Sequence, residues 1–257
     1  MELKEINEAI STYVRPQTFP LAIRMCQAEE LPERVRLPQR DLGIKIALCQ
    51  AITMARRYGW VLAQSLDDSS CSIGALSLGF APPKEGWLDG SFGQSMGQSK
   101  EMAAKSAQNL PRLEYKRYSH ILMAPLERAD FEPQVITVYG NPAQITRLVQ
   151  SRLTEGGGSL LAKISGGGTC VNCVTLPILS DECQVSMPGA GERINCSTHD
   201  HEMACAIPIS KIEGIVKGLE TGHRGGISRY PTPSHLRFQP QHPPHITKLW
   251  EYLKGES

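Results

Sequence analysis

Two kinds of apolar segment alternate along the chain. Short apolar runs are typical of strands, and in longer segments apolar residues recur at helical spacing. Strands are predicted at residues 21–26 and in the segments "SHILMAPL" and "VITVYG". The segment "LGIKIALCQAITMARRYGW" predicts a helix that ends at Gly59, a residue suited to a left-handed cap. Its predicted buried face consists of Ile44, Leu48, Ile52 and Ala55. A further helix should follow "VITVYG" directly, because Asn141 can cap it and Pro142 is tolerated in a first turn.

Strands that alternate with helices without strict βαβ regularity indicate an α+β fold, with mixed or antiparallel sheets packed against helices. We expect a single compact domain over residues 1–257, with two loosely similar halves at 1–110 and 111–257. Each half has a helix, a strand and then a segment rich in cysteine and glycine. Residues 81–99 predict a surface loop or lid, and residues 227–257 form a proline-rich tail that closes in a short helix.

Charge and hydropathy limit the partners and the location that we expect for this protein. With 27 basic and 26 acidic residues, the chain lacks the strong positive field that supports extensive contact with nucleic acid. The first fourteen residues form a charged amphipathic pattern without a signal-peptide core, and no stretch of eighteen apolar residues occurs. We therefore expect a cytoplasmic protein without a nucleic-acid or membrane partner. The oligomeric state stays open.

The eight cysteines are the main candidates for chemistry, and in a cytoplasmic chain they should be reduced. The stretch "KISGGGTCVNCVTLPILSDECQ" places Cys170 and Cys173 at a spacing that lets two thiolates bind one metal. If the halves face each other, Cys49 and Cys71 can join them. The leading hypothesis is therefore an iron–sulfur cluster or zinc with a redox or metal-handling role, against buried thiols that bind nothing. Dithiol exchange at Cys170 is disfavoured, because "VNCVTLPI" predicts a strand and not a helix start.

Two other functions stay open. In the first, Arg193 and the turn glycines Gly167 and Gly168 hold an anionic small molecule, although Arg193 can equally pair with Glu202 or Asp200. In the second, Glu202 acts as a general acid or base in an enzyme, because it precedes the apolar run "MACAIPI" and burial there would raise its pKa.

Several phrases of the sequence resemble domain-of-unknown-function family 169 of bacteria and archaea, over about residues 15–235. The resemblance is carried by "RPQTFPLAI", "CQAITMARRYGW", "SSCSIGALSLGF", "VYGNPAQITRLVQ", "GGGTC", "PGAGERI", "HEMACAIP" and "SRYPTP". It implies a soluble, cytoplasmic α+β protein and leaves the chemistry to be argued from the residues. The positions that match recurring family residues are Cys49, Cys71, Cys170, Arg193 and Glu202, whereas Cys173, Cys183 and Cys196 are not assigned to the family pattern.

Overall fold

A single antiparallel sheet organises the chain in the computed structural model, which describes residues 1–94, 97–226, 228–231 and 242–255. Its six strands lie in the order β2-β3-β1-β4-β6-β5, so strands from both predicted halves share one sheet. The strands are β1 (Leu21–Cys26), β2 (Leu62–Gln64), β3 (His120–Pro125), β4 (Val135–Gly140), β5 (Gln184–Ser186) and β6 (Met203–Pro208). All paired strands run antiparallel, which confirms the α+β class.

Helices surround this sheet in the described part of the chain. They are α1 (Leu3–Tyr13), α2 (Pro38–Leu42), α3 (Leu48–Tyr58), α4 (Ser72–Ser77), α5 (Glu85–Leu88), α6 (Ser91–Gln94), α7 (Lys100–Asn109), α8 (Pro142–Gly156), α9 (Leu176–Ser180), α10 (Ala190–Asn195), α11 (Ile212–Arg224) and α12 (Pro244–Lys254). Short 3₁₀ turns occupy Ala28–Glu30, Leu126–Arg128 and Ile209–Lys211, and a π-helical turn, Val171–Thr175, leads into α9. No helix in these residues is long and apolar enough to cross a membrane.

The sheet is buried on both faces, which explains why its strands are almost continuously apolar. Side chains alternate across a strand, so Leu21, Ile23 and Met25 of β1 join a core cluster with α3, α4 and the π-helical turn. Ala22 faces the opposite side and joins a second cluster formed mainly with α1, α8 and α11. The candidate cysteines lie on the α3 side.

The helix predicted after "VITVYG" is confirmed as α8. The Asn141 side chain accepts a hydrogen bond from the Gln144 backbone N–H at 2.9 Å, and the Gln144 side chain accepts one from the Asn141 N–H at 2.8 Å. The helix predicted in residues 42–60 is shorter than expected, because α3 begins only at Leu48. Ile44 therefore lies outside it and is 48% exposed.

The strand predicted after Cys170 is wrong, because residues 169–180 are helical with a π-helical turn inside. In that turn the Leu176 N–H donates to the Val171 carbonyl five residues earlier. Pro177 has no N–H to offer the Cys173 carbonyl, and the Thr137 hydroxyl of β4 donates to this carbonyl at 3.2 Å instead. The missing N–H of Pro177 and the hydrogen bond from Thr137 to the Cys173 carbonyl together account for the wider, π-helical turn.

Two predicted segments look different in the structure. Residues 81–99, predicted as a loop or lid, contain α5 and α6, while residues 95 and 96 lie outside the described residues. Of the predicted tail 227–257, residues 227, 232–241 and 256–257 also lie outside them, and the closing helix is α12. The single domain and its two similar halves stay predictions.

Candidate functional site

Three cysteines lie at the beginnings of helices. Cys49 is the second residue of α3, Cys71 is the residue before α4, and Cys170 immediately precedes the π-helical turn. The starts of α3 and α4 pack closely, since a Cβ on Gly74 would lie 3.5 Å from the Leu48 Cβ and 4.0 Å from the Cys71 Cβ. Helix N-termini carry partial positive charge, which at the start of α3 favours the thiolate form of Cys49.

Cys49 forms a thiol pair with Cys196, which follows the last residue of α10. The two side chains lie close enough to shift each other's pKa, and Cys49 is half-buried whereas Cys196 is only 3% exposed. Interaction with Cys196 lowers the pKa of Cys49, and interaction with Cys49 together with burial raises the pKa of Cys196. Cys49 is therefore the thiol of the pair that ionises more readily.

Cys170 and Cys173 have a different environment from Cys49, because both are buried within the protein. Burial raises the pKa of each thiol well above its ordinary value, and the Glu192 carboxylate raises both further. Cys170 is within electrostatic range of Cys49 and Cys71. Within the described residues, however, no group of three or more His, Cys, Asp or Glu side chains is arranged so that it could hold a metal ion.

The glycine-rich turn before Cys170 surrounds an anion that belongs to the protein itself, the Glu192 carboxylate. Its Oε2 accepts hydrogen bonds from the backbone N–H of Thr169 at 3.0 Å and of Gly189 at 2.8 Å. Gly168 has a φ of +78°, and a Cβ there would lie 3.1 Å from the same oxygen. Gly167 is also crowded, since a Cβ would meet Val171 at 2.6 Å. These contacts give both glycines a packing role in holding Glu192.

A buried polar chain connects Glu192 to Glu202 through the core. The Tyr139 hydroxyl donates to Glu192 Oε1 at 3.3 Å, and the Arg56 guanidinium carbon lies 4.2 Å from the centre of the Tyr139 ring. Arg56, which is 0% exposed, donates to Glu202 Oε1 at 2.6 Å and to Oε2 at 3.3 Å. Glu202 Oε2 also accepts from Arg57 at 3.2 Å and from the His199 N–H at 2.7 Å. The network leads from two arginines to the group of thiols.

The expected increase in the pKa of Glu202 is wrong in direction. Burial does raise this pKa, but the hydrogen bonds from Arg56 and the His199 N–H and the charges of Arg56 and Arg57 outweigh burial. The pKa of Glu202 is therefore lower than usual, and the side chain is a permanent carboxylate near neutral pH. In this state it compensates arginine charge, and it has no proton to give as an acid.

Arg193 lies near Asp200, one of the two partners that the sequence suggests. Its Nη1 is 3.5 Å from Asp200 Oδ1, and it donates a hydrogen bond to the His199 carbonyl. The neighbouring rings of His199 and His201 stack with their centroids 5.5 Å apart. His199, Asp200 and His201 are exposed, in contrast to the buried cysteines Cys170, Cys173 and Cys196.

Sequence reasoning missed Arg56, Glu192 and Cys196 as parts of this site. Arg56 had a usable signal, since it lies four residues after Ile52 on the predicted buried face of α3. Glu192 had only a local signal, as the third residue after Gly189 at the start of α10, and Cys196 had none, because Tyr139, Thr169 and Cys49 come from distant parts of the chain.

The fold and site define a class: an α+β protein with an antiparallel sheet covered on both faces and a group of thiols at helix starts next to a buried ion-pair network. The chain belongs to domain-of-unknown-function family 169, whose model, described as "Uncharacterised ArCR", matches residues 9–218. It is also similar to the uncharacterized protein MJ0308 of Methanocaldococcus jannaschii, with 29% identity over 228 residues that cover 86% of this chain and 96% of the relative. No solved structure matches the chain.

Proposed function

We propose that this protein is a thiol-based redox module in which Cys49 and Cys196 alternate between a dithiol and a disulfide. The observation that carries the proposal is the pairing of the two thiols where α10 packs against α3, with a half-buried Cys49 and a buried Cys196. A reactive thiol that is accessible, has a lowered pKa and lies next to a second thiol is the usual arrangement in redox-active cysteines. The start of α3 adds a favourable dipole for the Cys49 thiolate.

The reaction is thiol–disulfide exchange with the disulfide of a partner molecule. The Cys49 thiolate attacks one sulfur of that disulfide, forms a mixed disulfide and releases the other sulfur as a thiolate, which takes up a proton. Cys196 then loses its proton and attacks the Cys49 sulfur, which releases the second partner thiol. Two protein thiols are oxidised, and one partner disulfide is reduced to two thiols.

Titration in glutathione redox buffers tests this function. We expect the loss of two thiols with a midpoint potential between about −270 and −120 mV, the range of exchanging disulfides. Cys49→Ser and Cys196→Ser should each abolish the transition, and Cys196→Ser should trap a mixed disulfide on Cys49. Cys71→Ser is the matched control, because Cys71 is also half-buried at a helix start. A transition that survives Cys49→Ser overturns the proposal.

A metal or iron–sulfur centre, the leading hypothesis from sequence, shares Cys49 with the proposed disulfide. It is supported by the electrostatic proximity of Cys49, Cys71 and Cys170, but the strongest mutual effect on pKa is between Cys49 and Cys196. Metal and sulfide analysis of anaerobically purified protein separates the two functions. Stoichiometric iron with sulfide, or stoichiometric zinc, lost on Cys170→Ser would favour the metal centre.

Anion binding is a second candidate, supported by a different cavity. A pocket of about 450 Å³ is lined by Arg15, Arg56 and Arg57 together with the hydroxyl residues Ser11 and Thr18. Glu202 compensates Arg56 and contacts Arg57, and Glu127 adds one carboxylate at the pocket, so the three guanidinium groups leave a positive balance. The Arg57 Nε has no hydrogen-bond partner within the described residues. Phosphate or carboxylate groups suit such guanidinium donors.

Thermal unfolding with inorganic phosphate, acetate or chloride at matched ionic strength tests this candidate. We expect phosphate or acetate to raise the Tm above that in chloride, and Arg15→Gln to remove the increase. Arg34→Gln, which changes an exposed arginine outside the pocket, should retain it. Equal Tm values in all three salts would exclude the site.

A further inference from the structure

A separate cavity of about 670 Å³ lies beside Cys71 on the outside of α4. Its volume is within the range of small-molecule pockets. The walls combine the loop before α4, α4 itself and the two short helices α5 and α6. The residues that matter here are Cys71, Ile73, Leu76, Lys84, Trp87 and Phe92.

Aromatic and aliphatic side chains dominate this cavity. Trp87 comes from α5 and Phe92 from α6, and the Phe92 side chain is 65% exposed. Ile73 and Leu76 form the opposite wall on α4. Large aromatic faces next to a concave apolar wall bind flat apolar molecules well, because ring stacking adds to the burial of apolar surface.

The polar groups of the cavity indicate the charge of the ligand. Lys84 forms no ion pair with any residue that the structure describes, and no carboxylate lines the cavity. Ser70 and Ser72 supply hydroxyl groups beside Cys71. A single uncompensated ammonium with neighbouring hydroxyls complements one anionic group.

We propose that the cavity beside Cys71 binds a flat aromatic molecule that carries one anionic group. The ring system lies between Trp87 and the α4 wall, and the anionic group contacts Lys84. This site is independent of the Cys49–Cys196 exchange, because it uses neither thiol. Bound ligand covers Cys71, which gives the experiment its readout.

The test uses anilinonaphthalene sulfonate, a fluorescent aromatic anion, as the probe. Reduced protein is alkylated with iodoacetamide with and without the probe, and the rate at each cysteine is followed by peptide mass spectrometry. At about ten times its Kd, the probe should slow alkylation of Cys71 about tenfold, because only free protein reacts. Cys49 is the internal control, since it is also half-buried but does not line the cavity, and its rate should not change. No slowing at Cys71, or equal slowing at both thiols, overturns the site.

Charge variants test the anionic part of the proposal. Lys84→Gln should raise the Kd of the probe about fivefold, within the range of a single exposed charge contact. Lys45→Gln, which changes an exposed lysine outside the cavity, should leave the Kd unchanged. An unchanged Kd in Lys84→Gln would contradict the anionic group, whatever the redox titration of Cys49 and Cys196 shows.

Discussion

Arg56 has a completely buried side chain, and its charge is compensated by the buried carboxylate of Glu202. Removing one member of such a pair leaves a charge without solvent or partner, which is far more costly than the pair itself is favourable. The pKa of Glu202 is lower in the folded protein than its ordinary value of 4.5, because the arginines outweigh burial. Its contribution to stability is therefore complete above that value and is lost as the pH falls through the folded pKa.

Glu202→Gln should lower the free energy of unfolding at pH 7 by about 3 to 5 kcal/mol, since it leaves Arg56 uncompensated. Urea denaturation between pH 7 and about pH 3 measures this change. The difference from the unmodified protein should shrink at acidic pH, where Glu202 becomes protonated. Glu101→Gln, which changes an exposed residue of α7, is the control. An equally stable Glu202→Gln variant at pH 7 would contradict the role given to this ion pair.

At the residue scale, the sequence indicates that Glu202 is buried, and the structure agrees, with an exposure of 6%. The sign of its pKa shift could not be predicted, because it depends on Arg56, a residue that sequence reasoning did not assign to the site. The partner of Arg193 could not be predicted either, because the sequence allows both Glu202 and Asp200. The fold places Asp200 beside it.

Helices α8 and α11 pack extensively against each other on the face of the sheet opposite α3. A Cβ on Gly218 of α11 would lie 2.2 Å from the Ser151 carbonyl oxygen of α8, far closer than atoms can approach. A Cβ on Gly214, one turn earlier, would have its nearest neighbour at 3.9 Å, an ordinary contact. The two glycines of one helix therefore differ sharply in the space beside them.

Gly218→Ala should destabilise the protein by about 1 to 3 kcal/mol or more, because the rigid α8 backbone must move. Gly214→Ala is the matched control and should be neutral or stabilising by up to about 1 kcal/mol, because alanine favours helix. Chemical denaturation of both variants measures the difference. Two variants of equal stability would show that the helices do not pack as described.

At the element scale, the sequence predicts α8 well, because a cap, a proline and a periodic apolar face all agree. It fails at residues 169–180, where Val171, Val174 and Thr175 favour a strand by propensity alone. Packing against β4 and the hydrogen bond from Thr137 to the Cys173 carbonyl override that preference. Because this segment is a helix, Cys170 lies at a helix start, whereas the sequence predicts a strand there.

At the scale of the whole molecule, one sheet built from both ends of the chain brings α10 against α3. The sequence predicts that distant thiols meet, but it cannot select the pair, because the Cys49–Cys196 contact depends on how α10 follows β5 and packs. The spacing of Cys170 and Cys173 is a local signal for metal binding, without the second Cys-x-x-Cys pair of a zinc ribbon. In the fold it belongs to a buried helix, where burial raises the pKa of both thiols.

The most direct test of the dithiol proposal is peptide mass spectrometry of protein equilibrated with oxidised glutathione, quenched with acid and digested without reductant. We expect one bridged peptide pair that joins Cys49 to Cys196 and is lighter than the two free peptides by two hydrogens. A bridge between Cys170 and Cys173, a bridge from Cys49 to another cysteine, or eight free thiols would contradict it.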